Sequence, residues 1–160
     1  MIKIINQDIT KIERGVVAHG CNYVGVMGAG VALFLKKAHP KCFTEYQTYI
    51  MENAPHQNDR HTLAGKTNIV EITEELYIAN CFTQGLQGFD GQMARADWIY
   101  ESLHKAFEFA VTKNLPIFIP KIGCGLGGLT WEGINGVEAV VTQLDSEHNN
   151  HLDINVCVWP

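Results

Sequence analysis

Apolar and polar residues alternate over residues 1–6, a spacing that predicts a first strand. The short run GVVAHG at 15–20, apolar between glycines, predicts a second, buried strand. Over 28–38, Val31, Phe34, Leu35 and Ala38 recur at helical spacing, and Pro40 ends the run. A second short helix is expected next, with Phe43, Tyr46, Tyr49 and Ile50 on one face, and the polar stretch 53–61 reads as a loop. Residues 67–72 and 76–81 predict two strands joined by a tight acidic turn, and the glycine-rich segment 83–91 reads as a mobile loop. The clearest helix spans about 92–113, where Met93, Ala96, Tyr100, Leu103, Phe107 and Ala110 recur at three- and four-residue steps. Residues 116–121 predict another apolar strand. A helix over 131–144 follows, with Ile134, Val137, Val141 and Leu144 inward and Thr130 as its N-cap, and 153–159 closes the chain as a strand. Strands alternating with helices predict a three-layer α/β/α fold on a mixed central sheet. No repeat or linker interrupts the pattern, so residues 1–160 are expected to form one domain.

Composition narrows the functional classes. The chain is 46% hydrophobic and 18% charged, which excludes a disordered chain. Its formal net charge is −5 and it carries no Lys/Arg run; Lys36, Lys37 and Lys41 read as the solvated face of a helix. An extended nucleic-acid surface is therefore not expected. A nucleotide held by backbone amides is still compatible, because that mode needs little positive charge. The five cysteines are scattered without a C-x-x-C pair, and the seven histidines are dispersed, with His148 and His151 read as surface residues. No metal site and no cofactor are expected. With no signal peptide and no apolar run of membrane-spanning length, the expectation is a soluble, reduced, cytoplasmic monomer.

The informative feature is a repeated order of buried strand, glycine-rich turn and amphipathic helix. It occurs at 16–35 (VVAHGCNYVGVMGAGVALFL) and again at 117–134 (IFIPKIGCGLGGLTWEGI). In open α/β sheets, ligands lie at the carboxyl ends of strands, where such turns gather. Glycine lets backbone N–H groups converge on one anion, and a helix N-terminus behind the turn adds a favourable dipole. Two such loops face to face suit a diphosphate. Neither is a P-loop, since G-x-x-x-x-G-K-[ST] is absent, and Gly25, Gly28 and Gly30 do not make G-x-G-x-x-G.

The string HGCN-x5-GAGVA followed by IPKIGCGL-x2-LTW resembles the macrodomain family, nearest to its ADP-ribose 1''-phosphate phosphatases and small ADP-ribosyl hydrolases. INQDIT is similar to that family's first-strand Asp-Ile/Leu pair, and YIANCFTQ to its central strand. The resemblance spans nearly the whole chain. It implies that Asp8 accepts a hydrogen bond from the adenine amino group, with Ile9 beside it; on the residues alone, Asp8 reads as the N-cap of the segment 9–13. It places Asn22 near the distal ribose and wraps Gly28, Ala29, Gly30 and Val31 around the diphosphate. Ile122, Gly123, Cys124, Gly125, Leu126 and Gly127 form the opposing loop, Phe82 or a neighbour packs on the distal ribose, and Trp159 borders the adenine or else serves as core or edge packing. His19 is implied as a catalytic or substrate-orienting group, against the alternative of a satisfied core histidine. Asp90 is a candidate to position a water, or else an exposed turn residue. Asp97 reads as a helix-dipole partner, and Cys21 and Cys124 as packing residues rather than nucleophiles.

The chain departs from relatives that remove ADP-ribose through a lysyl intermediate. The stretch from Asn80 to Gln84 contains no Lys, and Gly127 rather than Asp follows Leu126. The implied partner is ADP-ribose or a 1''-substituted ADP-ribose, free or on a macromolecule, and the implied reaction is metal-independent hydrolysis of the 1''-phosphate. Removal of ADP-ribose from a protein, nucleic acid or acetyl ester is an alternative, as is a reader without activity.

Overall fold

Secondary structure follows the hydrophobic pattern closely. The computed structural model describes residues 2–85, 94–125, 127–149 and 151–158. In chain order these form β1 (Ile2–Asn6), β2 (Gly15–Asn22), α1 (Gly30–Ala38), α2 (Pro40–Asn53), β3 (Thr67–Glu71), β4 (Leu76–Gln84), α3 (Ala96–Lys113), β5 (Ile117–Ile119), α4 (Val137–Glu147) and β6 (Ile154–Val158). Two 3₁₀ segments, Ile9–Lys11 and Gln57–Leu63, lie between them. The six strands make one sheet in the order β1-β6-β5-β2-β4-β3. All pairings are parallel except that of β3 with β4, joined by the acidic turn.

The central strands are buried on both faces, so they read as continuous apolar runs rather than alternations. Val16, Ala18, Ala79 and Cys81 face one way, against Leu103, Phe107 and Ala110 of α3 and Val141 and Leu144 of α4. Val17, Cys21, Ile78 and Phe82 face the other way, against Leu35 of α1 and Tyr46 and Ile50 of α2. Helices thus cover both faces of a mixed sheet, and the three-layer α/β/α arrangement is observed. Among the described residues, no helix is long and apolar enough to cross a membrane.

Several boundaries differ from the sequence expectation, each for a local reason. Pro40 does more than end α1: it occupies the first turn of α2, where its missing N–H costs nothing. Phe34, expected in the inward stripe, is largely exposed, and Leu35 alone of α1 is fully buried. β4 runs on to Gln84, into the segment expected to be loop. Met93 and the rest of 86–93, like Trp159, lie outside the described residues.

The largest error concerns α4. It begins at Val137, with Gly136 rather than Thr130 at the N-cap; Thr130 contributes only its carbonyl, which accepts from the Val137 N–H at 3.0 Å. Ile134, expected to face inward, is 91% exposed. Gly133, at φ +94°, breaks the helical path that the apolar spacing suggested. His148 is half-buried rather than a surface residue, with Nδ1 2.8 Å from the Leu144 carbonyl and its ring edge-on to Phe107.

Candidate functional site

β6, β5, β2 and β4 are neighbours, and a cleft of about 670 Å³ opens over their carboxyl ends. Its walls come from residues 20–22 ending β2, residues 27–32 leading into α1, Gln84 and Gly85 after β4, residues 120–123 with Gly125 and Gly127 after β5, and Cys157 and Val158 of β6. That is where parallel sheets hold ligands, and the volume suits a small molecule. A second groove, of about 650 Å³, runs along the edge strand β3 and α3, with Thr67, Ile69, Tyr100, Glu101 and Glu108 in its wall.

α1 points its N-terminus into this cleft. Its N-cap, Ala29, is extended at φ −154° and supplies no side-chain hydrogen bond to the first turn. Ala29 leaves the leading N–H groups of the helix uncapped by its side chain, and a helix N-terminus of this kind suits an anion. Gly28 and Gly125 carry the strongest signal. Among the described residues, a Cβ built at either meets nothing within 4 Å, and neither residue has a positive φ. Neither the turn nor the packing calls for glycine there; only the cleft space would be lost. Gly127 is different, because a Cβ there would lie 2.6 Å from the Gly123 carbonyl oxygen. Loop closure alone accounts for it.

The segment between β2 and α1 is pinned from behind by α2. Asn22 Oδ1 accepts from the N–H groups of Val24 and Gly25 at 3.1 and 3.2 Å, and its Nδ2 donates to the Val26 carbonyl at 2.9 Å. The Tyr46 hydroxyl lies 2.7 Å from both oxygens of Asn22 and accepts from the Gly25 N–H at 3.1 Å. Burial raises the Tyr46 hydroxyl far above its ordinary range, so it stays a donor. Arg60 Nη1 donates to the Val24 carbonyl at 3.1 Å. Asn22 lines the cleft, but its amide is committed to shaping this turn.

The structure brings together Asn22, Gly28, Ala29, Gly30, Val31, Ile122, Gly123, Gly125 and Gly127 in the cleft wall. Asp90 and Leu126 lie outside the described residues. Cys124 stands behind the glycine loop, its thiol bonded to the Ile122 carbonyl at 3.4 Å and pushed up by burial and then by Glu132. Asp8 ends β1 beside β6, where the Gln7 N–H donates to the Val158 carbonyl. Its Oδ1 accepts from the N–H and hydroxyl of Thr10, so Asp8 does cap the short 3₁₀ turn. Ile9 is buried in the core.

Two expectations need correction. Phe82 cannot pack on a ribose: it is fully buried and stacked between Tyr46 and Tyr49, with centroids 5.7 and 5.5 Å away. Strand alternation turns it under α2. His19 is likewise fully buried and does not line the cleft. Its Nε2 lies 2.7 Å from Asn80 Oδ1. The Asn80 amide nitrogen donates to the Cys42 carbonyl and to Asn68 Oδ1, so its oxygen is the acceptor and His19 Nε2 carries the proton. Burial lowers the imidazole to about 4, against the opposing pull of the Asn80 hydrogen bond. A neutral, core-bound ring is no proton carrier for the cleft. Cys21 lies within 3.8 Å of both ring nitrogens, and burial raises its thiol well above the ordinary range, so it remains protonated.

Sequence reasoning missed Lys121 as a cleft residue and noted Gln84 only for not being lysine, yet both line the wall. Lys121 stands beside the second glycine loop, and that adjacency was a usable signal. No local signal identifies Tyr46 and Arg60, which reach the first loop from 24 and 36 residues away.

Comparison with known proteins agrees with this geometry. An ADP-ribose 1''-phosphate phosphatase of Lodderomyces elongisporus is 30% identical over 152 residues, covering 89% of this chain and 86% of that protein. A DNA ADP-ribosyl glycohydrolase of Mycobacterium tuberculosis is 23% identical over 164 residues, covering 100% of this chain and 42% of its own length. The structure of Thermosipho africanus DarTG in complex with ADP-ribose is similar at a TM-score of 0.75 and 18% identity, covering 99% of this chain and 41% of that one. The Macro domain family model matches residues 18–136, well over half of the sequence, and the chain belongs to the Macro domain family.

Proposed function

We propose that the cleft binds ADP-ribose and that the chain hydrolyses ADP-ribose 1''-phosphate to ADP-ribose and phosphate without a metal ion. The carrying observation is the pair Gly28 and Gly125, kept side-chain-free where the fold has no need of it. The N–H groups at the head of α1 and of the loop 123–127 hold the diphosphate, as backbone donors do where charge is concentrated. Asp8, which does not line the cleft itself, uses Oδ1 for both Thr10 bonds, and its Oδ2 is the atom proposed to meet the adenine amino group. Similarity to the Lodderomyces phosphatase supports the reaction. Water attacks phosphorus, the bond from phosphorus to the 1'' oxygen breaks, and that oxygen leaves with a proton. His19 serves this step only by fixing Asn80 and β2, while Asp90 is the residue proposed to orient the water.

A phosphorus NMR time course of ADP-ribose 1''-phosphate with protein and EDTA tests the proposal. Inorganic phosphate should accumulate, and Asp90→Asn should slow it by about a hundredfold, the usual weight of one acid–base group, while ADP-ribose still binds. Shifted diphosphate signals without phosphate release would leave binding intact and sink the phosphatase. The DNA ADP-ribosyl glycohydrolase similarity would then direct the search to other linkages.

A further inference from the structure

Among the described residues that line the cleft, Lys121 is the single charged side chain. It stands between β5 and the glycine loop 123–127, so its stem starts where that loop turns over the strand ends. Its Nζ lies 3.6 Å from Glu132 Oε1, with the two side chains 39% and 77% exposed. Glu132 belongs to the turn that leads from the glycine loop to α4 and precedes Gly133, whose φ of +94° sets the path of that turn. Both charges are felt at Cys124 on the glycine loop, where Glu132 raises the thiol and Lys121 lowers it. The ion pair therefore sits at the outer edge of the loop. An exposed pair at this separation is held weakly and is easily exchanged.

Backbone amides recognise a phosphate oxygen but bring no net charge, and the protein as a whole is acidic at −5. A dianionic diphosphate entering this cleft meets one mobile cation. A dianionic diphosphate offers the ammonium more negative charge and more acceptor oxygens than the single solvated carboxylate it would replace. We propose that Lys121 is a specificity-determining residue for the diphosphate, and that Glu132 is its displaceable counter-ion. This rests on the ADP-ribose reading above. Glu132 tunes affinity by holding the lysine back: the ligand must take Lys121 from it.

Calorimetric titration of the full chain with ADP-ribose, in parallel with adenosine, tests the exchange. Lys121→Met should weaken ADP-ribose about tenfold and leave adenosine unchanged, and Lys121→Arg should restore most of the loss. Glu132→Gln should tighten ADP-ribose about threefold, and this gain should vanish when it is combined with Lys121→Met. Equal affinity of wild type and Lys121→Met would overturn the proposal while leaving ADP-ribose binding in place. So would a loss seen only with ADP-ribose 1''-phosphate, because the lysine would then serve the terminal phosphate. An unchanged Glu132→Gln gain in the double variant would remove Glu132 from the exchange. Absence of ADP-ribose binding by the wild type would overturn both the reading and the inference. Melting curves of the variants, expected within a few degrees of wild type, separate lost contacts from lost fold.

Discussion

Glycines of one chain can serve opposite masters, and substitution separates them. Gly28→Val should leave the melting temperature nearly unchanged, since no described residue lies within 4 Å of its Cβ position, and should weaken ADP-ribose by tenfold or more, roughly the cost of overpacking a fitted site. Gly127→Ala should instead lower stability. Its Cβ would press on the Gly123 carbonyl, costing about 1–3 kcal/mol of stability in urea unfolding. His19 supplies a third test, in pH. Burial holds its folded value at about 4, below the ordinary imidazole value of 6.5, so between these the unfolded chain holds a proton that the folded chain does not. Stability therefore rises with pH across this window; the histidine's contribution is fully present above 6.5 and lost as pH falls towards 4, by about 3 kcal/mol in all. Denaturant titrations at pH 7 and pH 4 should show this loss in wild type, and His19→Gln, which keeps a donor for Asn80 without a titrating ring, should lack that share of it.

Helices and strands reveal how far local pattern reaches. β2 was legible because both-face burial leaves an apolar run between glycines, β5 because its apolar run lies between Pro116 and Pro120, and α3 because its stripe persists for 18 residues and ends at Asn114 in the left-handed conformation. The two glycine loops were legible for a related reason: close backbone approach leaves a compositional mark. What could not be read was parity. On β2 the odd positions and on β4 the even ones face α1 and α2, which sends His19 and Phe82 into the core although both lie in motifs next to the cleft. Which face a strand residue takes is fixed by neighbours distant in the chain, and so is the support of the first loop by α2. That support is testable. Tyr46→Phe keeps the stack on Phe82 but strips the hydroxyl from Asn22 and Gly25, and should cost about 1–2 kcal/mol of stability. The loosened loop should also bind ADP-ribose severalfold more weakly in titration calorimetry, whereas Tyr49→Phe, outside the hydrogen-bonded set, should not.

At the scale of the whole molecule, the sheet order dictates both stability and the place of binding. β2 lies inside, hydrogen-bonded to β5 and β4, with α3 and α4 on one face and α1 and α2 on the other. β1 and β3 are the edges, and β1 exposes Ile4. Amide exchange should follow this arrangement, slowest in residues 16–18 of β2, at the rate of global unfolding, and faster by sub-global opening in β1 and β3. Of the two grooves described, which are similar in volume, one has four parallel strand ends and a helix N-terminus turned towards it. Saturating ADP-ribose should therefore slow exchange in peptides covering 20–32 and 120–125, and leave the edge-strand peptide 65–71 unchanged. Ligand at a hundred times its dissociation constant adds about 2.7 kcal/mol to the stability of every segment that exchanges only by global unfolding. The slowing at β2 should accordingly appear even at residues that never touch the ligand. Protection confined to the β3 and α3 groove would place the ligand away from the glycine loops. It would leave Gly28 and Gly125 without a reason to be glycine.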